Sequence, residues 1–100
     1  MFRIGLDSLL VLDTIDRLGS FAAAAEALFR VPSTISYTIS KLEQDLDVKI
    51  YERSGPKVTL TKVGQTLLNE GRYLLRTAED IESRVRRVAS GWETELNIGL

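Results

Sequence analysis

The chain has 100 residues, 44% of them hydrophobic and 27% charged, and a formal net charge of −1, the composition of one globular domain with a modest core. It contains neither Cys nor His, which excludes a disulfide framework, a thiolate nucleophile and a Cys-based zinc site, and removes the commonest general base and metal ligand. No apolar run approaches the length of a membrane-spanning helix and the first residues carry no secretory pattern, so the expectation is a cytoplasmic protein.

Residues 1–5 give little. Leu6, Leu9, Leu10, Leu12, Ile15 and Leu18 then recur at helical spacing and predict a first helix, a core element, with Asp7 or Ser8 able to cap its start and Gly19 just past its end. Ser20 is a good N-cap for a second helix over about 21–29. The Ala-rich run that follows it has high helix propensity, and its small side chains permit close approach of another helix. A break falls at Phe29-Arg30-Val31, because proline disfavours helix at the residue before it and costs no hydrogen bond at the first helical position.

From Pro32 a third helix is predicted to Leu46, with Ile35, Ile39, Leu42 and Leu46 on one face. Its other face carries Ser33, Ser36, Tyr37, Ser40 and Lys41. A short hydroxyl-rich face ending in a cation suits close contact with a polyanion, through phosphates and base edges; it serves equally as a plain solvated face. Asp47 ends the helix, tolerating left-handed backbone better than most side chains.

Val48 to Arg53 alternates β-forming residues, Ser54-Gly55-Pro56 is turn chemistry, and Lys57 to Leu60 resumes the alternation, which predicts a small β-hairpin. Such a hairpin must pack on the helices to be stable. With Arg53 and Lys57 flanking its tip, it fits a wing laid against a phosphate backbone, the alternative being an ordinary charged edge. Thr61 caps a final helix from Lys62 to about Ser90, on the order of 43 Å long and too long for one small domain to cover. Along it Leu67, Gly71, Leu74, Ala78, Ile81, Val85 and Val88 alternate steps of four and three, a heptad seam that predicts a dimer. Gly71 and Ala78 would let two such helices approach closely, and Leu68 and Leu75 widen the stripe toward the chain's own domain. Gly91 stops the helix, and residues 92–100 alternate as the first strand of a further domain would.

Charge is unevenly placed. Residues 7–29 hold Asp7, Asp13, Asp16 and Glu26 against Arg17, net −3, whereas residues 30–62 hold Arg30, Lys41, Lys49, Arg53, Lys57 and Lys62 against Glu43, Asp45, Asp47 and Glu52, net +2. Three function classes follow. A dimeric DNA-binding domain uses the third helix and the hairpin; a protein-interaction module with the same fold uses the acidic balance and never touches DNA. An enzyme is the poorest reading: Ser33, Ser36 and Ser40 lack a His or Lys partner, Glu43, Asp45 and Asp47 read as a solvated helix end, and no Gly-rich phosphate loop is present.

The order of elements, with Gly19-Ser20-Phe21, Ala23-Ala24-Ala25-Glu26, Leu28, Ser36, Ile39, Leu42-Glu43, Leu46, Ile50-Tyr51, Arg53, Leu60-Thr61 and Gly64, resembles the N-terminal DNA-binding domain of the LysR-type bacterial transcriptional regulators over nearly the whole chain. The resemblance implies a mainly α, winged helix-turn-helix fold over 1–61, a linker and dimerisation helix over 62–90, and the start of an effector-binding domain over 91–100. It implies double-stranded DNA as partner, read as an interrupted palindrome. Pro32, Ser33, Thr34, Ser36 and Tyr37 would face bases or nearby phosphates, and Arg53, Ser54, Lys57, Lys41 and Thr61 would contact the backbone. Two copies would join through Leu67 to Val88, and the full regulator would be a tetramer. No cofactor is expected in this chain; a small-molecule inducer is expected on the missing domain. Arg30-Val31-Pro32-Ser33 departs from the family's usual Val-Ser-Gln-Pro, Tyr37 stands where Arg is common, and Asp47 stands where Gly is usual.

Overall fold

The structure is a computed structural model that describes residues 2–55 and 57–90. Four helices and one hairpin follow in the order α1 (Leu6–Leu18), α2 (Phe21–Ala27), α3 (Pro32–Leu46), β1 (Tyr51–Ser54), β2 (Lys57–Leu60) and α4 (Lys62–Ala89). The expected strand beyond position 91 lies outside the described residues.

Local chemistry sets the boundaries. The Ser20 hydroxyl accepts from the Ala23 amide at 3.0 Å and the Thr61 hydroxyl from the Gly64 amide at 3.0 Å, so α2 and α4 begin at side-chain caps. Gly19 closes α1 in the left-handed region with its amide on the Ile15 carbonyl, a single-bond left-handed cap. α1 departs from expectation at its start: Gly5 is the N-cap, with no side-chain cap bond, and Asp7 lies inside the first turn. α2 is shorter than expected. Its end is a Schellman cap, with the Phe29 amide on Glu26 and the Arg30 amide on Ala25, and Phe29 takes the left-handed position at φ 56°. The same motif ends α3, where Asp47 at φ 55° sends its amide to Gln44 and Val48 sends its own to Glu43.

Val11, Leu12 and Ile15 of α1, Ala24 and Ala25 of α2, Ile35, Ile39 and Leu42 of α3, Ile50, and Leu68 of α4 form one core. Each fully buried Leu or Ile there contributes about 1.5–3 kcal/mol. The two buried alanines let α2 sit close to its neighbours.

β1 and β2 pair antiparallel, Tyr51 opposite Leu60 and Ser54 opposite Lys57, with Gly55 left-handed at φ 63° in the two-residue connection. Just before β1 the Ile50 carbonyl still accepts from the Thr61 amide at 2.9 Å, but the Ile50 amide is diverted to Glu43 Oε2 at 2.8 Å, and the regular pairing begins at Tyr51. The Tyr51 ring packs edge-on against Phe21, centroids 5.4 Å apart, which fastens the hairpin base to α2. A Cβ at Gly64 would collide with the Ile50 carbonyl oxygen, so glycine is what brings α4 against the hairpin base.

α4 leaves the domain and gives the molecule its 63 × 28 × 20 Å extents. Its first half is fixed to α1 by Arg72, which donates to Asp13 at 2.7 Å and to Asp16 at 2.8 Å, while Arg17 holds the other Asp13 oxygen at 3.0 Å.

Candidate nucleic-acid interface

Burial of Ile35, Ile39 and Leu42 fixes the rotation of α3. Because residues three and four apart share a face, the opposite side is forced outward: Pro32, Ser33, Thr34, Ser36, Tyr37, Ser40 and Lys41 are all exposed. Thr38 lies between the faces and gives its hydroxyl to the Thr34 carbonyl. The α3 start has no side-chain cap, since Val31 is the N-cap and Pro32 the first helical residue. Pro32 has no amide hydrogen, and the Thr34 and Ile35 amides both donate to the Val31 carbonyl, so this helix end offers little beyond the Ser33 amide.

Arg53 and Ser54 are exposed on β1, and Lys57 stands opposite Ser54 on β2. Between α3 and the hairpin runs a crevice of roughly 420 Å³ with Ser36 and Ser40 on one wall and Lys49 and Arg53 on the other. The structure thus brings Ser36 and Ser40 of α3 opposite Lys49 and Arg53 across one opening, which Glu43 and Glu52 also line.

Two expected contact residues are already engaged. Lys41 Nζ sits 3.0 Å from Asp45, an exposed i,i+4 pair worth less than about 1 kcal/mol and readily exchanged for a phosphate. Thr61 differs more: its hydroxyl accepts from Gly64 and donates to the carbonyls of Lys49 and Ile50. With its one proton engaged, the Thr61 hydroxyl serves the base of the hairpin in this structure.

Arg30 is a correction to the charge count. Its guanidinium makes a two-pronged bond to Asp7, at 3.0 and 2.6 Å, and that hydrogen bonding holds the Asp7 carboxyl below the usual carboxylate range. The pair ties the turn before α3 to the start of α1. Glu43 was expected in a solvated helix end. Instead its Oε2 accepts from the amides of Ile50 at 2.8 Å and Tyr51 at 3.2 Å. No side-chain spacing marks either contact.

Along the expected dimer seam, Leu67 and Ala78 are half-buried, Gly71 is buried, and Leu74, Ile81, Val85 and Val88 are exposed. Exposure climbs from 48% at Leu74 to 76% at Val88, so the apolar stripe outruns the domain that bears it. Gly71 departs from the expectation of a notch for a second copy: a Cβ there would sit 2.8 Å from Leu9 Cδ2, so its close approach is used by the chain's own α1. A groove of roughly 700 Å³ opens where α4 diverges from α1, with Leu6, Leu10, Leu75 and Ala78 on its walls.

The family described as "Bacterial regulatory helix-turn-helix protein, lysR family" matches residues 6–65, which span α1 to the first turn of α4. The chain belongs to the LysR family. This LysR-family chain is 52% identical over 93 residues to the HTH-type transcriptional regulator YhaJ of Escherichia coli O157:H7, a match covering 93% of the chain and 31% of the relative. It therefore spans about a third of the length of that relative. Among solved structures it is similar to BenM_DBD in its complex with catB site 1 DNA, with a TM-score of 0.82 and 27% identity over 88% of this chain and 99% of the other. It is similar also to full-length CbnR complexed with its target DNA, with a TM-score of 0.76 and 30% identity over 86% of this chain and 30% of the other. Among the described residues, no helix is long and apolar enough to cross a membrane.

Proposed function

We propose that this chain is the sequence-specific DNA-binding and dimerising part of a bacterial LysR-type transcription regulator, acting on double-stranded DNA as a homodimer in the cytoplasm. The observation that carries the reading is the outward face of α3, rotated into the open by its buried Ile35, Ile39 and Leu42 and standing beside the exposed Arg53 of the hairpin. DNA complexes of BenM_DBD and CbnR with the same fold support it.

In this reading α3 enters the major groove end-on. Pro32, Ser33, Thr34, Ser36 and Tyr37 face base edges and the nearest phosphates. Tyr37 cannot make the bidentate guanine contact of an Arg; its hydroxyl reaches a phosphate or base edge, and its ring suits a thymine methyl. Arg53, Ser54 and Lys57, with Lys41, contact the sugar–phosphate backbone, which positions the protein without specifying sequence. Thr61 supports the hairpin from behind. Two copies joined along Leu67, Leu74, Ala78, Ile81, Val85 and Val88 present two such helices to the halves of an interrupted palindrome. In the full regulator, a tetramer by this reading, a further domain binds a small-molecule inducer. The relatives are transcription regulators, and the reading assigns no catalysis to this chain.

The experiment is selection from a pool of random duplexes at several salt concentrations, with the retained sequences read out. Enrichment of an inverted repeat, with affinity falling steeply as salt rises, is the expected result. Absence of binding even at low salt would sink the reading and favour a protein-interaction module built on the same fold.

A further inference from the structure

The peptide that leads into the hairpin, residues 49–51, is gripped from both sides. From α3, one carboxylate oxygen of Glu43 accepts two consecutive amides, those of Ile50 and Tyr51. From the start of α4, the Thr61 amide and hydroxyl hold the Ile50 carbonyl, which occupies the space that a Cβ at Gly64 would need. The Ile50 side chain is wholly buried, so little water is at hand to replace a lost partner for its amide. Two residues past this grip comes Arg53, exposed and free of any ion pair among the described residues.

We propose that Glu43 is the positioning residue that fixes the hairpin's angle to α3 and so delivers Arg53 to its phosphate; the proposal rests on the DNA-binding reading above. Arg53 lies ~7 Å along the strand from Tyr51, and its own side chain roughly doubles that lever. A tilt of ~10° at the base moves the guanidinium by about 2 Å, which exceeds the tolerance of a hydrogen bond. Glu43 sits on the same helix as the base-reading face. It therefore registers the backbone contact against the sequence contact while touching no DNA itself. Asp45 and Asp47 do not share this duty: Asp45 is held by Lys41, and Asp47 is the left-handed cap residue.

The test is a double-mutant cycle on the affinity of the 100-residue chain for its selected duplex, using E43A, R53A and both together, with melting curves to verify folding. R53A should weaken binding about tenfold on all sequences alike and lower the salt slope by about one. E43A should lose a similar factor, yet add less than about twofold in the R53A background, since the contact it positions is already gone. E43Q, whose amide oxygen still accepts both bonds, should bind within about twofold of the parent. If E43A does not fold, the same cycle is run with E43D, which keeps the charge but withdraws the carboxylate by about one bond length. Losses that multiply, an E43A chain that binds unchanged, or an E43Q chain as weak as E43A would each overturn the proposal while leaving the DNA-binding reading intact. A parent chain that binds no DNA removes both.

Discussion

Phe29 is an odd residue for its position. It occupies the left-handed end of the α2 cap at φ 56°, where a bulky side chain costs about 1–2 kcal/mol, and at 95% exposure it recovers nothing by packing. Phe29→Asn should therefore stabilise the chain by about 1 kcal/mol, raising the melting temperature by roughly 4–8 °C; a scanning-calorimetry trace of the two proteins decides it. Tyr51 gives a pH signature. Burial and the nearby Asp16 charge push its phenol up to about 12. A raised folded value means that the neutral form is favoured on folding, so this contribution is complete below the unfolded value near 10 and is lost as pH rises through 12. Tyr51→Phe should leave stability near neutrality almost unchanged and flatten the alkaline fall, which denaturant titrations between pH 8 and 12 would reveal. At this scale the sequence speaks clearly about caps, because Ser20, Thr61 and Gly19 act on amides within their own turn. It is silent about Glu43 and Arg30. Glu43 bonds to backbone amides seven and eight positions on, which look the same in every sequence, and Arg30 finds Asp7 twenty-three positions back.

Among elements, the join between α1 and the first half of α4 rests on packing of Leu9 against Gly71 and on the cluster of Asp13, Asp16, Arg17 and Arg72. Burial pushes the Asp13 carboxyl up, but hydrogen bonds and charge from Arg72 and Arg17 outweigh it and hold the group below its ordinary 3.8. A lowered value means that the stabilisation is present above 3.8 and disappears as pH falls through the folded value. Asp13→Ala should cost about 1 kcal/mol at neutral pH, because the Arg17 and Arg72 side chains it pairs are partly exposed and water replaces much of the lost contact, and the difference from the parent should shrink in strong acid; urea titrations at neutral pH and at about pH 2, below the ordinary carboxylate range, test both halves. Helix periods located α1, α3 and α4 in the sequence because each has one buried face. They did not disclose which partner each face meets: the seam that includes Gly71 reads identically whether α1 or a second α4 fills the notch, and only the Leu9 side chain, which a Cβ at Gly71 would meet at 2.8 Å, distinguishes them.

For the whole molecule, the seam beyond Gly71 makes a prediction about assembly. Ile81 is 52% and Val85 60% exposed in the single chain, so Ile81→Glu or Val85→Glu removes no intramolecular core contact. Either change should leave the melting of the winged domain nearly intact and convert a dimer to a monomer in sedimentation. Binding to a palindromic duplex should then fall steeply, because the two half-sites no longer act as one ligand. The last three turns of α4 carry a further consequence. Every residue from 79 to 90 is exposed, so this stretch prolongs α4 without packing in the single chain, and most helical stability in proteins comes from such packing. In the proposed dimer the seam steadies that end: on dilution below the dimer's dissociation constant, circular dichroism at the helix band should weaken while the domain stays folded. On the dimeric reading proposed above, the reach between two reading heads is then a quantity acquired only in company, and a solitary copy has no fixed span with which to measure DNA.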